Sequence, residues 1–247
     1  NNRMKIIATI EARMTSSRLP GKVLLPVQNK PILNHLVTRL QAVPSLDGIV
    51  LATTKNSTDD VLEMFAKENN IHCFRGSEED VMARVIGAAE SVHADVIVEI
   101  TGDCPLIDPQ IVEQTIRMFK SNNADYVSNA HMRSYPDGMD TQVFSLKTLK
   151  RSAAMTSDPL DHEHVTLHIR NHPELFSQVH LVAPPEIHWP ELGLTLDEHA
   201  DYELIKLIME HFGEHNKLFS CLDVIKLIRS NPDLAHINAS VQRKGDT

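Results

Sequence analysis

The sequence predicts an α/β fold, a doubly wound and mostly parallel sheet sandwiched in three α/β/α layers. Three observations carry this. Short β-branched runs alternate with amphipathic stretches through the first 120 residues. The strand-like runs are apolar throughout, as strands covered on both faces require. The chain has 247 residues, 42% of them hydrophobic and 23% charged, which is enough to bury a sizeable single core.

The elements follow in order. Lys5–Ile10 is a β-branched strand, and Pro31–Val43 repeats apolar residues at Ile32, Leu36, Val37 and Leu40, which is helical spacing. Gly48–Thr54 reads as a buried strand, with a helix over Thr58–Asn69 capped by Thr58. His72–Arg75 is a short strand and Glu78–Val92 a helix with acidic residues in its first turn, as the dipole favours. Asp95–Thr101 is the next strand, and Pro109–Lys120 a helix that opens on proline. The regularity weakens beyond residue 125, with strands at Tyr126–Ser128, Gln142–Phe144 and Gln178–Val182, and helices at Leu146–Met155 and Asp161–His172. Two further helices, Ala200–Phe212 and Leu222–Arg229, close the pattern. No repeat or low-complexity linker interrupts it, so one domain over residues 4–235 is expected, followed by a tail over 236–247. Met4 reads as the natural start, with residues 1–3 a remnant before it.

The formal charge is −9, with 24 Lys plus Arg against 33 Asp plus Glu, which argues against a nucleic-acid-binding surface. No apolar run reaches the ~18 residues that a membrane helix needs, and the start lacks the pattern of a secretory signal. Cys73, Cys104 and Cys221 are scattered and odd in number, which fits a reducing cytoplasm better than a disulfide framework. The charge is nevertheless uneven. Residues 1–22 hold five basic side chains and one acid, whereas residues 196–215 hold six acids and one base.

Three segments carry candidate chemistry. The first is Glu11–Lys22, EARMTSSRLPGK, directly after the first strand, where ligands of α/β sheets collect. Arg13, Arg18 and Lys22 share this loop with small hydroxyl residues and Gly21, a combination suited to a triphosphate. It is neither a P-loop, because Ser16 stands where glycine is required and Val23 follows Lys22, nor a GxGxxG loop, because it has one glycine. The second segment is TGDCPLIDP (101–109), where Asp103 is either a Mg²⁺ ligand or a turn cap, and Asp108 before Pro109 reads as a helix cap. The third is LTLDEHAD (194–201), where Asp197 is either a helix N-cap or a second metal ligand.

Taken in order, ARMTSSRLPGK, TGDCPLIDP and LTLDEHADYELI resemble the cytidylyltransferases that make CMP-sialate and CMP-3-deoxy-manno-octulosonate. SYPDGMDTQVFS (134–145) and SDPLDHEHVT (157–166) are similar to blocks of the spore coat polysaccharide biosynthesis branch of that family. The resemblance covers the chain from Met4 to about Ile228. It implies the nucleotide-diphospho-sugar transferase (GT-A-like) version of the sheet, and attack of a sugar hydroxyl on the α-phosphorus of CTP with release of pyrophosphate. Carried over by position, it implies that Arg13 and Lys22 clamp the triphosphate with Ser17 and Arg18 beside them, and that Asp103 and Asp197 hold Mg²⁺. Asp137 and Asp140 are expected to face the sugar acid or modified sugar, Asp80 and Arg84 to lie near the nucleotide, and Glu163 and His164 to bind substrate. A homodimer is also implied.

The loop departs from the family in lacking a glycine that often stands at the position of Thr15 or Ser16, and Gln142 stands where relatives often carry an acid. A glycosyltransferase of the same fold is the first alternative, disfavoured because the chain contains no Asp-x-Asp. A catalytically idle nucleotide-binding partner is the second, disfavoured by the full set of candidate carboxylates and basic residues. His164, His168 and His172 recur at helical spacing and read as histidines of a solvated face. The stripe Leu204, Leu207, Ile208 and Phe212 reads as core or dimer contact.

Overall fold

A computed structural model describes residues 3–243. The chain begins with β1 (Ile6–Glu11), a small hairpin of β2 (Pro26–Val27) and β3 (Lys30–Pro31), and α1 (Ile32–Gln41). Next come β4 (Gly48–Thr54), α2 (Asp60–Glu68), β5 (His72–Gly76), α3 (Val81–Ser91), β6 (Val96–Thr101) and α4 (Pro109–Ser121). The second half contains β7 (Tyr126–Ser128), β8 (Gln142–Ser145), α5 (Leu146–Met155), α6 (Pro159–Glu163), α7 (Leu167–Asn171) and β9 (Gln178–His180). It ends on α8 (His199–Phe212), α9 (Cys221–Ser230) and α10 (Asp233–His236).

The main sheet has seven strands in the order β5-β4-β1-β6-β8-β7-β9. The first four run parallel, β8 lies antiparallel between β6 and β7, and β9 pairs parallel with β7. The strands β1, β4 and β6 are buried along nearly their whole length, which is why their sequences read as apolar runs rather than alternating ones. Ile6, Ala8 and Ile10 of β1 face one layer with Leu36 and Leu40 of α1, Leu62 and Phe65 of α2 and Ile116 of α4. Ile7 faces the opposite layer, with Met82 and Val85 of α3 and Leu149 of α5. A further cluster gathers the apolar faces of α8 and α9 around Leu194, Leu196 and Met139. Leu204 and Ile208 belong to that core, whereas Leu207 is exposed.

Arg39 ties these parts together. Its side chain is 2% exposed and donates to the carbonyls of Leu106, Ile107, Lys217 and Phe219 at 2.7–3.3 Å. Burial lowers its pKa to about 10, which leaves it charged near neutrality. It therefore anchors the segment that follows Asp103 to the start of α9.

Several expectations change in detail. The helix expected to be capped by Thr58 starts at Asp60, with Asp59 as its cap, because Ser57–Asp59 form a 3-10 turn ahead of it. The helix predicted from Glu78 starts at Val81, because Asp80 is its cap and accepts from the amide of Ala83 at 2.9 Å. The helix predicted over 161–172 is two short helices, α6 and α7, broken at Val165, whose φ is +47°. That break takes His164 off the helical face shared by His168 and His172, whose rings lie 4.2 Å apart, and His168 is buried rather than solvated. The second half contributes strands to the same sheet, with the reversal at β8 that the α/β pattern did not reveal.

Candidate active site

The carboxyl ends of β1 and β6 open into a cleft of about 860 Å³. Its walls include Arg13, Ser16, Ser17, Arg18, Lys22, Arg84, Asp103, Glu163, His164 and Asp197. Most residues singled out from the sequence therefore converge on one cavity.

The basic wall is the loop after β1. It is pinned by the amide of Ala12 donating to the carbonyl of Ala52, and by the amide of Met14 donating to buried Asp59 at 2.7 Å. Gly21, at φ +70°, turns the chain back so that its own amide reaches the carbonyl of Met14 at 2.8 Å. Among the described residues, nothing accepts from the amides of Thr15, Ser16 and Ser17. The loop thus offers donors as well as charge. Lys22 stands at the start of a single 3-10 turn, only 7% exposed, and Arg13 at the rim pairs with Glu78 at 3.2 Å.

The acidic wall comes from two chain segments joined by a backbone hydrogen bond, from the amide of Leu196 to the carbonyl of Asp103 at 2.7 Å. Asp103 accepts from the Thr101 hydroxyl at 2.5 Å. Asp197 is not the N-cap of α8; that position belongs to Glu198, in a capping box with Asp201. The Asp197 carboxylate is 3% exposed, and its Oδ1 has no hydrogen-bond partner. Lys22 Nζ and the Arg18 guanidinium each lie 3.8 Å from that oxygen. Arg18 also pairs with Glu198 at 2.8 Å.

A buried carboxylate oxygen that makes no hydrogen bond, in a residue lining the cleft, suits a hard cation, with Lys22 and Arg18 close enough to serve the phosphates that come with it. Mg²⁺ is usually held by one or two carboxylates plus substrate phosphates rather than by an all-protein cage. The described residues contain no group of three or more His, Cys, Asp or Glu arranged to hold a metal by themselves. The chemistry of Asp103 and Asp197 therefore fits a cation shared with phosphate.

Glu11, absent from the residues singled out above, lines the floor of the cleft, and Glu99 is buried in the sheet next to it. Glu11 ends β1, and Glu99 stands in β6 on the same sheet face, as the pairings Thr9 with Glu99 and Glu11 with Thr101 require. Burial pushes Glu11 up to about 7, and burial together with the Glu11 charge pushes Glu99 well above the usual carboxylate range. The pair holds a proton at neutral pH. Gln142 donates to Glu99 at 3.1 Å, so an amide stands where a third carboxylate would raise the repulsion.

Asp80, Asp137 and Asp140 do not line the cleft. Asp80 caps α3 and bonds His162 of α6 at 2.8 Å, which holds Glu163 and His164 at the rim. Asp137 and Asp140 pair with Arg133 at 3.9 and 2.8 Å. Gly138 lets this turn lie on the strand-like stub before Asp197, since a Cβ at its φ of +117° would come 2.9 Å from the backbone of Leu194. Burial, then Asp140, raises Asp137 to about 6.

The cleft sits where ligands of such sheets bind, and its order of blocks along the chain has counterparts in known proteins. The spore coat polysaccharide biosynthesis protein SpsF of Bacillus subtilis is 36% identical over 235 residues, 93% of this chain and 96% of that protein. An 8-amino-3,8-dideoxy-manno-octulosonate cytidylyltransferase of Shewanella frigidimarina is 33% identical over 124 residues, 50% of this chain and 51% of that one. Among solved structures, a cytidylyltransferase from Leptospira borgpetersenii superposes with a TM-score of 0.90 at 32% identity, covering 98% of this chain and all of that chain. CMP:2-keto-3-deoxy-manno-octonic acid synthetase, solved with CTP, shares the fold at a TM-score of 0.61 and 19% identity, covering 84% of this chain and 99% of that one. A family model described as cytidylyltransferase matches residues 7–220, so the chain belongs to the cytidylyltransferase family.

Proposed function

We propose that this chain transfers a cytidylyl group from CTP to a hydroxyl of a sugar acid or related modified sugar, releasing pyrophosphate in a Mg²⁺-dependent reaction. The observation that carries the reading is the opposition, in one cleft, of Arg13, Arg18 and Lys22 to Asp103 and the donor-free Oδ1 of Asp197. The name of SpsF supports a role in surface polysaccharide biosynthesis, and that of the octulosonate enzyme supports a sugar acid as acceptor. A homodimer working in the cytoplasm belongs to the same proposal.

Phosphoryl transfer needs positioning and charge neutralisation more than covalent help from the protein. Lys22 and Arg13 stabilise the negative charge that grows on the departing pyrophosphate. The amides of Ser16 and Ser17 orient the phosphates, as exposed backbone donors do at strand-to-helix turns. When bound, Mg²⁺ at Asp103 and Asp197 supplies charge neutralisation at the phosphate oxygens. Glu163 and His164 contact substrate at the rim and Arg84 serves the nucleotide side, whereas Asp80 acts indirectly through His162, and Asp137 and Asp140, outside the cleft walls, serve the sugar side by shaping the turn around Gly138.

The test is pyrophosphate release from CTP and Mg²⁺ with a panel of ulosonic acids and amino sugars. Release with one of them is the expected result. Absence of release with every sugar, together with glycosyl transfer from a nucleotide sugar, would overturn the reading in favour of a glycosyltransferase.

A further inference from the structure

Residues 221–247 lie outside the span matched by the family model, and the sequence after α10 has no periodic pattern. The chain nevertheless returns to the cleft. Asn238, 4% exposed, donates to the carbonyl of Gly193 and to Asp201, both at 2.8 Å. The carbonyl of Gln242 accepts from Arg18 at 2.8 Å. Arg243 then lies across the segment that carries Asp197. It donates to Asp201 Oδ1 at 2.7 Å, to the Thr195 hydroxyl at 3.0 Å and to Asp197 Oδ2 at 3.3 Å. Its guanidinium occupies the space beside Gly193, where a Cβ would come within 2.3 Å of it.

These contacts divide the two oxygens of Asp197. Oδ2 is held by the Thr195 hydroxyl at 2.7 Å and by Arg243, whereas Oδ1, in a residue 3% exposed, makes no hydrogen bond and meets only the Lys22 and Arg18 charges at 3.8 Å, on the cleft side. The Arg243 charge is balanced mainly by Asp201, which is closer and fully buried, so the arginine does not cancel the charge of Asp197. A planar fork is suited to bridging two carboxylates in fixed relative orientation, which an ammonium is not.

We infer that Arg243 is a positioning residue, which fixes the Asp197 carboxylate so that Oδ1 faces the divalent cation bound with the triphosphate. The inference rests on Asp197 being a metal ligand, as proposed above. Arg243 touches no substrate and acts through Asp197. Hydrogen-bond partners of ligating groups typically govern metal affinity by 10–100-fold, and that range sets the expected effect. The link from Arg18 to Gln242 ties this C-terminal segment to the phosphate loop as well, so the cation and phosphate sides of the cleft share one brace.

The test is Mn²⁺ binding to the full chain in the presence of CTP without sugar, followed by the paramagnetic signal of free Mn²⁺. Arg243→Met should weaken Mn²⁺ binding by roughly tenfold or more. Arg243→Lys, which keeps the charge and loses the fork, should restore only part of it. Binding of CTP in EDTA should be unchanged in both variants, a pattern that a loosened fold would not produce. Should Arg243→Met fail to fold because Asp201 loses its partner, Thr195→Val removes the other donor to Oδ2 and should weaken Mn²⁺ in the same direction. Mn²⁺ affinity within twofold of wild type in the folded variants, or tighter than wild type, would overturn the positioning role. Asp197→Asn separates the two readings. If it leaves Mn²⁺ binding intact, the metal assignment fails; if it abolishes binding while Arg243→Met and Thr195→Val do not weaken it, only the role of Arg243 fails.

Discussion

Replacing Glu11 by Gln should make the protein more stable at alkaline pH and flatten the dependence of its stability on pH. In the folded chain, burial holds the Glu11 carboxyl at about 7 against an ordinary 4.5. Between those values the folded state keeps a proton that the unfolded chain has released, so stability falls as pH rises through this window. The contribution is fully present below 4.5 and is lost once pH passes about 7. At ~1.4 kcal/mol for each pH unit, the interval corresponds to ~3 kcal/mol, an upper figure because Glu11 keeps some contact with solvent. Glutamine preserves the shape and does not ionise. Its introduction also removes the neighbouring charge that helps hold Glu99 up, so both effects act in the same direction. For a chain of this length, ~3 kcal/mol is roughly 6–12 °C in Tm. The assay is thermal unfolding of both proteins from pH 5 to 8.5 without nucleotide or metal. The two should be close at pH 5 and the variant ahead at pH 8. Equal slopes, or a variant less stable than wild type at pH 8, would refute a proton-holding pair beneath the cleft.

Asp103→Asn should reduce turnover by at least ~100-fold, in line with the loss of one preorganised electrostatic group, while unfolding curves stay near wild type; activity within tenfold of wild type removes Asp103 from the metal site. Lys22→Ala should raise the KM for CTP and lower kcat, as expected of a group that neutralises the leaving pyrophosphate; unchanged steady-state kinetics would exclude that role. His162 has both ring nitrogens facing acceptors, the carbonyl of Thr156 and the carboxylate of Asp80, each at 2.8 Å. Those two bonds require the imidazolium and raise its pKa from 6.5, the Thr156 bond first. Its contribution is therefore complete below 6.5 and is lost as pH rises through the higher folded value. His162→Ala should flatten the alkaline limb of the stability profile and leave the limb governed by Glu11, which differential unfolding of the two variants across pH resolves.

Much of the basic wall of the cleft is legible in the sequence because its information is local. A β-branched run followed by Arg13, Arg18, Gly21 and Lys22 announces both the strand end and the charge, and Pro109 after Asp108 announces a capped helix. Asp197 was readable as a candidate but not as the winner, since Glu198 competes for the cap and only the capping box with Asp201 decides it. The acid pair was hidden because Glu11 and Glu99 meet through strand register, which no short-range pattern encodes. The break at Val165 was hidden for a different reason: a β-branched residue at positive φ runs against local preference and is imposed by packing in the buried cluster with Ile169 and Phe176. Arg243 left no trace at all, because an arginine in an aperiodic tail looks like a solvated one until its buried partner Asp201 is known.

The reversal of β8 makes the molecule divisible along a seam. Strands β5, β4, β1 and β6 present their carboxyl ends to the cleft, whereas β8 presents its amino end, with Gln142 level with Glu99. The stretch 129–141 therefore leaves the carboxyl end of β7 and enters the amino end of β8 at this same edge, without crossing the parallel half. Insertions or exchanges there leave the hydrogen-bonded frame of the phosphate loop untouched. On the proposed function, a chimera that borrows this stretch from a relative with a different acceptor should change the choice of sugar while keeping the nucleotide donor, which would give evolution and design alike a place to alter one half of the reaction independently of the other.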